Sequence, residues 1–329
     1  MHEATPTESS SLHSRTSKTT QHNNDIPLSE IYAAQERIRP FLEPTPLHYS
    51  QRMGLYLKLE NLQHTGSYKV RGALNATMKA KEVGDDRTII CASAGNHAQG
   101  LAWAAHTLGL KAIAVMPHGT PKTKVNGVLR WGADIRHHGA TYDDAYAFAQ
   151  EHASTMGYRF LSAFDDPDII AGQGTVGLEL AAHSLDAVLV PIGGGGLASG
   201  IGLALHHQGV RIIGVQVQGI DAMARLKQGD ERIINPVTTI ADGVKVREPG
   251  RITRRVCCRL LEKVLLVSET EIHQTVVELA LNEKLITEGA GAVAVAARNG
   301  VAAKRVCAIV SGGNIDASVL AGLLTNNTL

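Results

Sequence analysis

Residues 187–197 read Ala187-Val188-Leu189-Val190-Pro191-Ile192-Gly193-Gly194-Gly195-Gly196-Leu197, an apolar run that ends in four glycines. A continuous apolar run is typical of a strand buried on both faces, as in a parallel sheet with crossover helices. Glycines after such a strand let backbone N–H groups approach an anion, and the next helix start adds a favourable partial charge. A flexible turn is the alternative, but four glycines would be an entropically costly way to build one. The run therefore predicts a phosphate-binding loop at residues 193–197.

Strand-like and helix-like segments alternate from residue 28 onward, which predicts an α/β fold with parallel sheets. Residues 26–53 and 158–329 are expected to form a large domain, into which residues 54–157 insert as a smaller α/β domain. Strands are predicted at residues 55–59, 88–92, 112–116, 134–137, 187–191, 211–217, 264–267 and 305–310. Helices are predicted at residues 29–39, with Ser29 as the N-cap, and at 97–108, 142–156, 167–182 and 269–285, with an extended connector at 44–47.

The overall composition argues against several classes of partner. The net charge of +1 gives no reason to expect binding to nucleic acid or to an anionic membrane, and no apolar run reaches transmembrane length. Four cysteines without a C-x-x-C pair indicate a reduced, cytoplasmic protein. Residues 1–25 are rich in Ser and Thr and lack apolar periodicity, so they are predicted to form a disordered tail.

Two more glycine-containing loops follow apolar strands. Ser93-Ala94-Gly95-Asn96-His97 comes after residues 89–92, and Ser311-Gly312-Gly313-Asn314 comes after residues 306–310. Loops at the carboxyl ends of parallel strands converge on one ligand crevice. The first loop places several donors at a helix start, which suits a carboxylate, although His97 taken alone is more readily a structural histidine. The His and Cys spacings fit no transition-metal motif.

A further run, Gly172-Gln173-Gly174-Thr175-Val176-Gly177, fits the dinucleotide pattern G-x-G-x-x-G. That pattern indicates a nicotinamide cofactor only where it directly follows a buried strand and an acidic residue comes about 20 positions later. Residues 165–170 instead resemble a turn that enters a helix, and Asp186 is too close. An NAD-dependent oxidoreductase is therefore the weaker hypothesis.

Lys69 lies in the run Thr65-Gly66-Ser67-Tyr68-Lys69-Val70-Arg71-Gly72-Ala73, between a glycine-containing loop and a helix-like stretch. Most lysines at such places are solvated charges. A lysine that is held in a cleft and kept partly neutral can instead bond to an aldehyde such as that of pyridoxal phosphate. The three glycine loops favour this second interpretation, because they supply the anion-binding donors that such a cofactor needs.

Together these motifs resemble the pyridoxal-phosphate-dependent serine/threonine dehydratases, and among them the short biodegradative type of threonine dehydratase. The resemblance implies a fold type II enzyme, which is similar to the tryptophan synthase β chain, with two parallel-sheet α/β domains and the cofactor between them. It covers about residues 28–323, and the matching segments are 44–47, 58–63, 65–73, 93–100, 165–177, 191–197, 241–243, 288–292 and 311–316.

The resemblance also implies a role for each matching residue. Lys69 would bond to pyridoxal 5'-phosphate, and Tyr68, where the family usually has Phe, would stand behind the ring. Asn96 would contact the phenolic oxygen, Ser311 the pyridine nitrogen, and Glu288 would belong to a monovalent cation site or back the active site. The phosphate would lie on Gly193, Gly194, Gly195, Gly196 and Leu197, and the substrate carboxylate on Ser93, Ala94, Gly95, Asn96 and His97.

The activity that the resemblance implies is deamination of L-threonine to 2-oxobutanoate and ammonia, with secondary activity on L-serine. Dehydration of L-serine or 3-hydroxyaspartate is the main alternative. Racemisation is disfavoured because Ala94 stands where serine racemases carry an acid/base serine, and alanine cannot exchange a proton. By analogy we expect a cytoplasmic homodimer or homotetramer in amino-acid catabolism or isoleucine biosynthesis. Because the chain stops at Leu329, we expect no isoleucine-binding regulatory domain.

Overall fold

The strands of this protein form two sheets. The computed structural model describes residues 1–2, 26–233 and 237–326, so the tail predicted for residues 1–25 lies almost wholly outside the described residues. The strands are β1 Leu47–Ser50, β2 Leu55–Leu59, β3 Ile89–Ala92, β4 Ala112–Met116, β5 Asp134–His137, β6 Arg159–Phe160, β7 Ala187–Pro191, β8 Arg211–Val217, β9 Lys263–Val267 and β10 Val306–Val310. Their orders in the two sheets are β1-β2-β10-β7-β8-β9 and β5-β4-β3-β6, and among the pairings between these strands only β1–β2 is antiparallel.

Helices alternate with these strands, which confirms the predicted α/β fold. Strands β4, β7 and β10 are buried along their whole length, and this explains why their sequences are continuous apolar runs. In the part of the chain that the structure describes, no helix has the length and apolar character needed to cross a membrane. The helices are α1 Leu28–Ile38, α2 Lys69–Glu82, α3 Asn96–Leu108, α4 Lys122–Leu129, α5 Tyr142–Met156, α6 Pro167–Leu180, α7 Gly196–Leu205, α8 Ala222–Lys227, α9 Arg251–Leu260, α10 Glu269–Glu278, α11 Gly289–Ala296 and α12 Ala317–Asn326.

Several local features differ from the prediction. Helix α1 begins one residue after Pro27, whose fixed φ suits helix entry, so Ser29 lies inside the first turn and is not the N-cap. The predicted connector at residues 44–47 already enters β1 at Leu47, which pairs with β2. The helix predicted at residues 269–285 ends as α10 and continues as a π-helical turn, which stops where Lys284 adopts a left-handed φ of 60°.

The sheets also divide the chain differently from the predicted boundaries at residues 54 and 157. Strand β2 lies inside the segment predicted as the small domain but pairs in the six-stranded sheet. Strand β6 lies beyond that segment but pairs with β3 in the four-stranded sheet. Apolar runs do not reveal their pairing partners, so the sequence could not assign either strand to its sheet. The division into two domains stays a prediction.

Glycines in α6 allow neighbouring helices to pack closely against it. Gly172, Gly174 and Gly177 all lie inside this helix, whose N-cap is Asp166. A methyl group on Gly172 would lie 2.6 Å from Gly72 Cα in α2, and one on Gly177 would lie 3.1 Å from an α7 Cα. The dinucleotide-like pattern is therefore a helix-packing pattern, as expected for a segment that enters a helix from a turn.

A buried ionic network joins β2 to α2 and α6. Arg71 in α2 contacts Glu60 (Nε–Oε2 2.8 Å) and Glu179 in α6 (Nη1–Oε1 2.5 Å). Lys58 in β2 also contacts Glu179, with Nζ 2.5 Å from Oε2. Burial alone raises the pKa of Glu60, but Arg71 and Lys58 more than offset this effect and hold the pKa below its usual value. The network anchors the start of α2, where Lys69 lies, to the larger sheet.

Candidate active site

Lys69 is the first residue of α2 and follows Tyr68 at the N-cap. Its Nζ donates a hydrogen bond to the carbonyl oxygen of Ala163 (2.9 Å) and lies 5.3 Å from the centre of the Tyr68 ring. Burial lowers the pKa of Lys69 to about 8, although the charge of Glu288 opposes the shift. Part of this amine is therefore neutral near neutral pH, which is the state in which a lysine acts as nucleophile or base.

The loop at residues 193–197 follows β7 and opens α7 without a side-chain cap. Gly195 has a left-handed φ of 93°, and a methyl group there would lie 2.9 Å from Thr253 Cβ. The Phe164 ring fills the space beside Gly194, whose carbonyl oxygen accepts a hydrogen bond from Thr253 Oγ1 (2.6 Å). Within the described chain, the N–H groups of this loop donate to no protein acceptor. They are therefore available to an anion such as a phosphate.

Asn96 begins α3 and joins two other loops. Its Nδ2 donates to Glu288 Oε1 (2.6 Å), and its Oδ1 accepts from Asn314 Nδ2 (2.8 Å). Asn314 Nδ2 also donates to the carbonyl oxygen of Thr65 (2.8 Å). Burial raises the pKa of Glu288 to about 7, although the hydrogen bond from Asn96 opposes the shift. These contacts connect the starts of α3 and α11 and the loop after β10 to the segment that precedes Lys69.

Ser311 lies directly after β10 and is 4% exposed. Its Oγ donates to the carbonyl oxygen of Ala290 (3.1 Å), and its own carbonyl oxygen accepts from the Tyr68 N–H (3.2 Å). The backbone of this loop is thus joined to the residue before Lys69. Burial and, second, the charge of Glu288 raise the pKa of Tyr68 above its usual value, so the hydroxyl group stays neutral.

The loop at residues 93–97 follows β3 and opens α3, also without a side-chain cap. Ser93 Oγ accepts a hydrogen bond from the Gly95 N–H (3.1 Å), which fixes the turn locally. Ala94 is half-buried and presents only a methyl group. The remaining N–H donors of this helix start can receive a carboxylate.

His97 is buried within the first turn of α3. Its Nε2 lies 3.3 Å from the carbonyl oxygen of Leu161, and its Nδ1 has no hydrogen-bond partner among the described residues. Burial and, second, the charge of Lys69 lower the pKa of His97 to about 3. The imidazole is therefore neutral, and its role in the structure or in carboxylate binding stays a prediction.

The structure gathers the predicted residues around Lys69, but it does not assign their roles, which stay predictions. Glu288 lies beside Asn96, and the cation prediction for it also stays a prediction. No group of three His, Cys, Asp or Glu residues that could hold a metal ion occurs in the described part of the chain. Sequence reasoning missed Phe164, Thr253 and Asn314. Only Asn314 lay in a loop marked by glycines, and no pattern marks the other two.

These residues fit pyridoxal phosphate. A buried, partly neutral amine is present at Lys69. The glycine loop has unpaired N–H donors, and methyl groups at Gly194 or Gly195 would overlap Phe164 or Thr253. A loop built in this way leaves the backbone, rather than side chains, facing a phosphate.

Comparison with known protein families gives an independent result. The family described as pyridoxal-phosphate dependent enzyme matches residues 38–312. The L-threonine ammonia-lyase of Thermotoga maritima is 38% identical over 309 residues, which cover 90% of this chain and 77% of that protein. The catabolic L-threonine dehydratase TdcB of Escherichia coli is 37% identical, over 89% of this chain and 95% of that protein.

Solved structures with a similar fold come from proteins with two different activities. The processed form of threonine deaminase isoform 2 from Solanum lycopersicum has a TM-score of 0.85 and 34% identity, covering 91% of this chain and 87% of that one. Maize serine racemase has a TM-score of 0.84 and 30% identity, covering 91% of this chain and 97% of that one. The fold is therefore common to a deaminase and a racemase.

Proposed function

The chain belongs to the pyridoxal-phosphate-dependent enzyme family, and we propose that it deaminates L-threonine to 2-oxobutanoate and ammonia, with secondary activity on L-serine. The observation that carries the proposal is the buried Lys69 amine, with its lowered pKa, beside loops that can hold a phosphate and a carboxylate. The similarity to proteins named L-threonine ammonia-lyase supports the choice of substrate.

Pyridoxal phosphate, when bound, supplies an aldehyde for covalent attachment and a ring that withdraws electrons from the substrate Cα. Lys69 would hold its aldehyde carbon and the N–H groups of residues 193–197 its phosphate. The Tyr68 ring would lie behind the cofactor ring, Asn96 would contact the phenolic oxygen, and Ser311 would face the ring nitrogen. Ser311 is neutral, so it does not stabilise a protonated ring nitrogen as a carboxylate would.

The protein's own groups then account for elimination. The Lys69 amine is partly neutral and can take the Cα proton from one face of the substrate. Ala94, on the loop that would hold the substrate carboxylate, offers no group that could return a proton to the opposite face. The proton that Lys69 takes from Cα can be returned to the β-hydroxyl group, which then leaves as water, so a site with a single base on one face favours elimination over racemisation.

The test is threonine-dependent release of 2-oxobutanoate. We expect wild-type protein supplied with pyridoxal phosphate to release it, and Lys69→Ala to lose at least about a thousandfold in kcat, because both the attachment point and the base are removed. Lys81→Ala is the matched control on the same helix, since the Lys81 amine contacts only the carbonyl oxygen of Leu108 among the hydrogen bonds of the described chain. A kcat/KM for L-serine or 3-hydroxyaspartate far above that for threonine would contradict the proposed substrate.

Cellular location and assembly are separate proposals. The absence of a C-x-x-C pair among the four cysteines supports a cytoplasmic location, as expected for a reduced protein. Analogy with related enzymes supports a homodimer or homotetramer. Sedimentation of the purified protein would measure its assembly.

A further inference from the structure

A chain of amide groups runs from a backbone carbonyl to Glu288 through Asn314 and Asn96. We propose that Asn314 is a positioning residue, which holds the Asn96 amide in the orientation that leaves one N–H free for the cofactor's phenolic oxygen. The inference rests on the proposed function, because it needs Asn96 to face the cofactor.

The carbonyl oxygen of Thr65 determines which atom donates and which accepts in each of these hydrogen bonds. The carbonyl oxygen of Thr65 can only accept, so the group of Asn314 that faces it, 2.8 Å away, must be Nδ2. The same Nδ2 donates to the Asn96 side chain at 2.8 Å, and therefore that atom of Asn96 must be Oδ1. The other end of the Asn96 amide, Nδ2, then points to Glu288 Oε1 at 2.6 Å.

Two glycines make room for these contacts. Gly66 has a left-handed φ of 72°, and a methyl group there would lie 2.6 Å from Asn314 Oδ1. A methyl group on Gly312 would lie 2.5 Å from Glu288 Oε1 and 3.2 Å from Asn96 Nδ2. The backbone on both sides of the amide chain is therefore shaped around Asn314 and Asn96.

These contacts use only one of the two N–H groups of the Asn96 side chain. An amide nitrogen carries two hydrogens, and Glu288 takes one of them. The other is free to donate to an acceptor such as a phenolic oxygen. If the Asn96 amide were rotated by 180°, its Oδ1 would face that acceptor and the ionised Glu288 carboxylate, and its Nδ2 would face Asn314 Nδ2, so these contacts would become repulsive. Asn314 therefore controls a cofactor contact that it does not itself make.

The variant Asn314→Asp tests this, because it keeps the shape of the side chain and replaces the donor with an acceptor. Its carboxylate would face two acceptors, the carbonyl oxygen of Thr65 and Asn96 Oδ1. We expect the affinity for pyridoxal 5'-phosphate, titrated into cofactor-free protein and followed by absorbance, to fall about tenfold or more. Asn61→Asp is the matched control, since Asn61 Nδ2 also donates to a backbone carbonyl, that of Ile286, without contacting Asn96.

A double-mutant cycle separates positioning from a general structural effect. In an Asn96→Ala background the Asn314→Asp change should reduce the affinity much less than in wild type, because only the contact with the Thr65 carbonyl oxygen remains to be disturbed. An equal loss with and without Asn96, or a loss no larger than that of Asn61→Asp, would overturn the inference. If Asn314→Asp does not fold in urea-unfolding controls, Asn314→Ala carries the same cycle without adding a charge.

Experiments can contradict the proposed reaction without contradicting the proposed role of Asn314. Wild-type protein that binds pyridoxal 5'-phosphate but releases no 2-oxobutanoate would overturn the proposed reaction, while the cycle would still decide the role of Asn314. Wild-type protein that does not bind the cofactor would overturn both proposals.

Discussion

Lys69 and Glu288 are two buried groups whose charges act on each other. Burial disfavours the charged form of each, so the pKa of Lys69 falls to about 8 and that of Glu288 rises to about 7. The attraction between the two charges opposes both shifts. The protonation of this pair therefore changes in the range where an enzyme at neutral pH operates.

Glu288→Gln should change how the stability of the cofactor-free protein depends on pH. The pKa of Glu288 is higher in the folded state than its usual value of 4.5, so the folded state binds the proton more tightly. The resulting stabilisation is present below about pH 4.5 and is lost as the pH rises through about 7. Relative to Glu288→Gln, wild type should lose roughly 2–3 kcal/mol over that interval in urea unfolding.

Glu262→Gln provides a control of opposite sign for that experiment. The hydrogen bond from Arg211 lowers the pKa of Glu262, so the stability that Glu262 provides is lost as the pH falls, not as it rises. A wild-type protein whose stability follows that of Glu288→Gln at every pH would contradict the raised pKa of Glu288.

The sequence was sufficient to name candidate residues for the site, but it could not show which of them contact residues far away in the chain. Asn96 and Ser311 stand out because each belongs to a loop with glycines at the end of an apolar strand, and Lys69 stands out because it follows a glycine-containing loop at a helix start. Asn314 and Phe164 act through neighbours that are distant in the chain, at Asn96 and Gly194. A single sequence does not show which distant residues meet, so these contributions required the structure.

At the scale of elements, α2 is positioned by the close approach of its backbone to that of α6. Gly172 and Gly72 face each other, and a methyl group on Gly172 would also lie 2.7 Å from the carbonyl oxygen of Arg71. Since backbone atoms cannot move aside as a side chain can, this contact sets the distance between the helices. It thereby sets the position of Lys69 at the start of α2.

Gly172→Ala should therefore destabilise the protein by about 1–3 kcal/mol and reduce kcat as α2 shifts. Gly322→Ala is the control, because Gly322 lies in α12 with open space around it. That change should be neutral or stabilise by up to about 1 kcal/mol, as expected for alanine in a helix. Urea unfolding of both variants provides the measurement, and equal effects would show that the α2–α6 contact does not constrain the fold.

Elements were predictable where burial on both faces left a continuous apolar run. Strands β4, β7 and β8 have the predicted bounds. Helix α5 does too, and its start is marked by the capping box of Thr141 and Asp144. Helix α9 lacks such a local signal. Its first N–H groups are capped by Asp165, which lies far away in the chain.

At the scale of the whole molecule, the ionic network of Arg71, Glu60, Glu179 and Lys58 holds α2 and α6 to the larger sheet. Arg71→Ala would remove the partner of the buried Glu60 carboxylate and one of the two partners of the partly buried Glu179, and should destabilise the protein by about 3–5 kcal/mol. Arg211→Ala, which breaks the exposed pair with Glu262, should cost much less, because water screens the two charges. Urea unfolding at pH 7 measures both, and similar losses would show that the buried network does not stabilise the fold.

The helix starts at residues 93–97 and 193–197 have a consequence for how this enzyme could diversify. Their donors belong to the peptide backbone, so only an exchange to proline, which has no N–H, deletes one of them. A lineage can therefore replace the side chains around Lys69 while it inherits these backbone donors intact. Backbone donors that persist while side chains change suit a fold that a threonine deaminase and a serine racemase both use.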